Sequence, residues 1–132
     1  MIYEIDGARF ATLDEFYNEV STVIIPGTNW GRNLDAFDDI LRGGFGTPDG
    51  GFTIRWRNHA ISRECLGYAE TMRHLEAKLR HCHSENRSSV AHELAEARAG
   101  RGSTVYDWLV SIIRNHGPGG RESNDGVELV LE

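Results

Sequence analysis

No stretch of this 132-residue chain is apolar for long enough to cross a bilayer. Its opening residues, MIYEIDGARF, have neither a basic n-region nor an apolar h-region, so no secretory leader is expected. Cysteine is scarce: Cys65 and Cys82 are the only two. Two cysteines make no disulfide framework, and reduced thiols in a cytoplasmic protein are the simpler expectation. The chain also lacks an excess of base. Residues 1–50 hold nine Asp or Glu against three Lys or Arg, whereas residues 51–132 hold eleven of each. The whole formal charge of −6 is therefore carried by the first part. Such a surface is a poor direct ligand for nucleic acid, because phosphate binding needs a basic stripe. It suits a basic partner, whose approach a field of opposite sign accelerates.

Catalytic and metal signatures are missing as well. The glycine loop GGFGTPDGG, residues 43–51, lacks the GK[ST] ending of a phosphate loop and precedes a strand instead of a helix. It reads as a connector that could form one edge of a binding surface beside a rigid helix. No serine sits in a GxSxG elbow, and neither cysteine has a catalytic context. His74, His81, Cys82 and His83 invite a metal, but no CxxC or HExxH spacing occurs. His74 and His81 would stand two helical turns apart, about 10 Å. No metal and no cofactor are expected, nor is enzymatic activity.

What is present reads as alternating strands and helices. Ile2–Ile5 alternates as a short strand ending at Asp6-Gly7. Thr12 opens a helix with the capping-box pattern Thr12-Leu13-Asp14-Glu15, and Leu13, Phe16, Tyr17, Val20 and Ile24 form its inward stripe. Pro26-Gly27 ends it. Asn33 caps a second helix, with Leu34, Phe37, Ile40 and Leu41 facing inward and Gly43-Gly44 closing it. Phe52–Trp56 is a second strand and Val127–Leu131 a third. Between them the pattern gives helices around Met72, Leu75 and Leu79, around Val90, Leu94 and Ala97 with Ser88 or Ser89 as cap, and over Val105–Ile113. Strands separated by helices predict an α/β fold with a parallel sheet in a single domain.

The second helix raises a question. Asp35, Asp38 and Asp39 lie within five positions, and Arg42 is the one base that the helix adds to them. Helical spacing puts all three carboxylates and Arg42 on the outward side, where like charges cost a helix roughly 0.2–0.5 kcal/mol per pair. A solvated face is the ordinary meaning of such a run. An acid–base pair is the alternative, a small hydrolase using Asp38, Asp39 and a histidine such as His59; it requires a cleft and unequal environments, which an exposed helix face does not offer.

The order of features carries a resemblance. Ile5-Asp6-Gly7 leads into the helix from Thr12; then come Trp30-Gly31, Arg32, Asn33-Leu34-Asp35-Ala36, and an acid at Asp39, with GVELVL closing the chain at Gly126–Leu131. This resembles the barstar family of intracellular inhibitors of bacterial ribonucleases. Residues 2–57 match in order and spacing and 104–132 loosely, while 59–102 is longer than the family's usual connection. The resemblance implies a three-stranded parallel sheet flanked by helices, with 59–102 as a helical insertion before the last helix and strand. It also implies that helix 33–42 and the loop before it fill the basic active site of a barnase-like or guanyl-specific ribonuclease, an extracellular-type enzyme. Asp39 would then stand in for a substrate phosphate, Asp35 would occupy a neighbouring basic site, and Asn33 would fix the helix start. Asn29, Trp30, Gly31, Asp38, Arg42, Gly43 and Phe45 complete the expected contact surface. Asn29 and Asp38 occupy positions that are commonly aromatic in the family, and Trp30 or Phe45 is expected to supply the aromatic anchor. An immunity or adaptor module for another basic toxin is the rival expectation. Neither reading involves nucleic acid or a membrane.

Overall fold

The computed structural model describes residues 1–44 and 46–132, and the notable structural feature is its sheet. β1 (Ile2–Asp6), β2 (Thr53–Arg57) and β3 (Glu128–Leu131) pair in parallel in that order. Ile2 pairs with Thr53 and Ile5 with Trp56; Thr53 pairs with Glu128 and Trp56 with Leu131. Period-two alternation sends Tyr3, Ile5, Ile54, Trp56, Leu129 and Leu131 to one side. Ile5, Ile54 and Trp56 are wholly buried there. The other side carries Glu4, Arg55, Arg57, Glu128 and Val130, largely exposed, with ion pairs Arg57–Glu4 (3.1 Å) and Arg55–Glu132 (3.5 Å). Parallel sheets are ordinarily covered on both faces. Here polar side chains take over on one of them.

Six α-helices connect the strands among the described residues. α1 (Leu13–Val23) starts where Thr12 Oγ1 accepts from the Glu15 N–H at 3.1 Å, and the Glu15 carboxylate accepts from the Ala11 N–H instead of that of Thr12. α2 (Leu34–Ile40) follows a turn after α1. Between β2 and β3 run α3 (His59–Cys65), α4 (Tyr68–His81), α5 (Arg87–Arg98) and α6 (Val105–Asn115). α5 begins earlier than its serines suggest: Asn86 is at its N-cap without a side-chain cap bond. α6 has a complete capping box, Thr104 with Asp107.

Phe16, Phe37, Ile40 and Leu41 from the first half, Leu109 and Ile113 from α6, and the inner sheet face make one core. Burying each such side chain contributes about 1.5–3 kcal/mol. α4 and α5 form a hairpin around a second, small cluster of Leu75, Val90, Leu94 and Ala97, bridged to the rest by Trp108. Two polar bonds fasten this hairpin to the body. The Glu70 carboxylate accepts from the Leu13 N–H at 2.8 Å, and Thr71 Oγ1 accepts from the Val105 N–H at 2.9 Å. The hairpin thereby lies beside α1 and α2. Among the described residues no helix is long and apolar enough to cross a membrane.

Candidate functional site

α2 is a short helix held by its surroundings at both ends. At its start, Asn33 adopts an extended conformation and its Oδ1 accepts from the Ala36 N–H at 2.8 Å. The approach is a left-handed turn with φ of 89° at Gly31 and 51° at Arg32. A Cβ at Gly31 would lie 3.1 Å from that of Ala36, so glycine suits both the angle and the space. Arg32 tolerates its unfavourable angle because the guanidinium bonds back to Asn18 Oδ1 and to Ser21 Oγ. The same Ser21 hydroxyl accepts from Trp30 Nε1 at 2.8 Å.

Trp30 departs from the expected role of an aromatic contact anchor. Only 7% of it is exposed, and its ring packs edge-on against Tyr17 and Phe37. Its indole fixes the turn before α2. The rim that remains visible lines a hollow of about 210 Å3 with Asn29, Ala36 and Asp39. Asn29 is exposed beside it. Phe45, the other expected anchor, lies outside the described residues.

The three aspartates do not share one outward face; they fan out. Asp35 stands in the first turn, where the helix dipole favours a carboxylate. It borders a groove of about 520 Å3 between α1, the 32–35 turn and α4. Asp39 lies over the small hollow with its side chain 56% exposed. Asp38 corrects the sequence expectation. Each residue rotates a helix by about 100°, and that step turns Asp38 toward the segment after α6. There its Oδ1 meets Nε2 of His116 at 2.6 Å.

His116 is fully buried, and three acids surround it. Its Nδ1 is 2.7 Å from Asp125 Oδ2 and 3.1 Å from Glu122 Oε2. Burial opposes a charge on the ring, yet hydrogen bonds to Asp125 and Asp38 and the charges of Asp38 and Glu122 outweigh it, so the pKa is raised above the ordinary histidine value. With both ring nitrogens donating, an imidazolium ties α2 to the 117–126 segment. His116, Glu122 and Asp125 also have the types and closeness of a metal set. A metal on Nδ1 would have to displace the proton that the ring shares with Asp125, whereas the Nε2–Asp38 contact would be unaffected.

Arg42 lies just past the helix and points back along it. Its Nε and Nη2 donate to Glu122 at 3.2 and 3.1 Å, and it stands 3.5 Å from both Asp38 and Asp39. This explains how the helix carries adjacent acids: Asp38 is neutralised by His116, and Asp39 shares Arg42. Gly43 continues the exit with φ of 90°, where a Cβ would come within 2.7 Å of the Pro48 carbonyl oxygen. Thr47 Oγ1 donates to the Ile40 carbonyl at 2.7 Å and finishes the helix.

The remaining histidines fall elsewhere. His59 is bonded to the Tyr106 hydroxyl at 2.9 Å, so the structure does not bring it to Asp38 and Asp39 as acid–base chemistry would require. His74 packs on Trp108, and burial first, then Lys78, lower its pKa. The sequence reading missed His116. Its one local signal is a pair of acids within nine residues; the third lies 78 positions away.

Residues 1–94 match the family model described as barstar, the barnase inhibitor. The matched span takes in α1, α2, β2 and both α3 and α4. No curated protein matches the chain closely enough to count as a relative.

Proposed function

Because the chain belongs to the barstar family, we propose that it is an intracellular inhibitor of a secreted, barnase-like or guanyl-specific ribonuclease, and that α2 with the turn before it plugs the basic active site of that enzyme. One observation carries the reading. Asp35 and Asp39 project from a helix locked at its start by Asn33 and at its far end by His116 and Arg42. Carboxylates presented on a rigid support lose little freedom on binding, so their attraction for lysine, arginine and histidine is not spent on ordering them. Asp39 takes the place of a substrate phosphate and accepts charge-assisted hydrogen bonds from groups that would otherwise hold RNA. Asp35 meets a neighbouring cation. Asp38 and Arg42 act behind them, as supports of the helix.

No chemistry on RNA is required of the inhibitor, and no cofactor. Titration into a guanyl-specific bacterial ribonuclease, with cleavage of a fluorogenic RNA followed at low salt, tests the reading. Stoichiometric inhibition that weakens on Asp39→Ala supports it; loss of neither inhibition nor affinity in both Asp39→Ala and Asp35→Ala removes α2 as the site.

A second reading keeps the surface and changes the target to another basic toxin. It is favoured by the burial of Trp30 and the polar Asn29, which leave no exposed aromatic on this face among the described residues. Aromatic anchors commonly dominate interfaces. A pull-down against a panel of basic toxins separates the two.

A further inference from the structure

α2 is seven residues long, about 10 Å, whereas a stable interface buries about 800 Å2 on each partner. Neighbouring surface must therefore join it. A groove bordered by Asp35 opens beside it, completed by α1 and the α4 hairpin.

The charges around this groove are unusual. Leu13, Tyr17, Leu34 and Ala77 supply apolar surface, and Arg32, Lys78, Asp14 and Asp35 stand around it. Arg73 is also present, but both its bonds go to Glu70 at 2.7 Å, so its charge is already met. The other four are exposed and, among the described residues, make no ion pair with one another or with anything else. Arg32 has only neutral partners, Asn18 and Ser21. Arg32 lines the groove with a left-handed backbone, held at some cost in strain. Lys78 is the only lysine in the chain.

The geometry points to the groove as the second half of the partner surface, occupied by a segment of the ribonuclease that carries a carboxylate next to the enzyme's basic active site. The inference rests on the reading of α2 as the helix that enters that site. The enzyme's cations meet Asp35 and Asp39, and the carboxylate crosses the groove to Lys78 and Arg32. The arrangement discriminates among basic proteins. A partner that is basic throughout this region places like charge against Lys78 and Arg32 and is rejected, although α2 alone would attract it.

A single lysine makes the groove directly measurable. The complex of the full chain with an inhibited guanyl-specific ribonuclease is treated with an amine-acetylating reagent, and the peptide carrying Lys78 is followed by mass spectrometry. Acetylation of Lys78 is expected to slow at least fivefold relative to the inhibitor alone. Lys78→Glu is expected to raise Kd at least tenfold. Arg80→Glu, the same charge change two residues along and outside the groove lining, is expected to change it less than threefold. Ala77→Trp, which fills the groove, should also weaken binding. Unchanged Lys78 reactivity, or Lys78→Glu binding as well as or better than the parent while Asp39→Ala binds poorly, overturns the groove and leaves α2 in place. Failure of the parent chain to inhibit any ribonuclease tested overturns both.

Discussion

Replacing Asp38 with Asn probes the support behind α2 without removing the side chain. In the parent, Asp38 Oδ1 lies 2.6 Å from Nε2 of the buried His116 ring. A hydrogen bond to a charged group contributes about 1.5–3 kcal/mol. About a third of the Asp38 side chain is exposed, and the Asn carbonyl still accepts, so the low end applies, about 1.5 kcal/mol at pH 6. For a domain of this size that is a fall in Tm of about 5 °C. The pH dependence is the sharper signature. The folded His116 pKa is raised, so the stability it contributes is fully present below the ordinary histidine value of about 6.5 and is lost as pH rises through the folded value. Asp38→Asn removes one cause of that elevation. The difference between the two proteins should thus be largest near pH 6 and should shrink toward pH 9. Urea denaturation of both proteins between pH 5.5 and 9.5 measures it, staying clear of ordinary carboxylate titration; the opposing contribution of His74 cancels in the comparison. A difference that stays constant or grows with pH would refute the imidazolium argument, as would an NMR titration placing His116 of the parent at or below 6.5.

Trp30→Ala should cost about 3–5 kcal/mol of stability, as loss of a buried indole does, with chemical denaturation as the check; a change confined to partner affinity would restore the ring to the contact surface. Asp39→Ala should weaken ribonuclease inhibition by about 1.5–3 kcal/mol and Asp35→Ala by less, read as Ki from RNA cleavage. Raising salt from 50 to 500 mM should slow association more than it speeds dissociation, because exposed charges are screened beyond a few ångströms at high ionic strength; surface-immobilised kinetics separate the two rates. His74 has a lowered pKa, so it binds protons more readily in the unfolded chain, and stability should fall as pH drops below about 6.5. Replacing it with Gln should flatten that limb of the denaturation profile.

The residues that announced the fold are those whose signal is local. Thr12 and Asn33 lie next to the helices they cap, and the inward stripe of α1 repeats within a few turns. Alternation in Phe52–Trp56 gave the second strand to within one residue. The sequence could not place Asp38 in the same way. Its neighbour His116 comes from the end of α6, and only the crossover to β3 brings the two together. The same holds for the groove, whose walls come from residues near 14, 33 and 75. Trp30 misled for a different reason: an aromatic beside a candidate site serves packing or contact equally well until its burial is known.

The sheet register has a consequence for synthesis. Ile2 must wait for Thr53, and Thr53 for Glu128, about 50 and about 75 positions later in the chain. Across those spans the ribosome delivers α1 and α2 before any two strands can pair, and α3 to α6 before the third strand is available. His116 and Asp125, which hold Asp38, leave the ribosome in the same late stretch. A growing chain therefore has the acidic helix early and its scaffold late. On the proposed reading of α2, partner binding should set in only once residue 131 has emerged, and ribosome-bound chains stopped at increasing lengths would show it as a step in ribonuclease capture at that point.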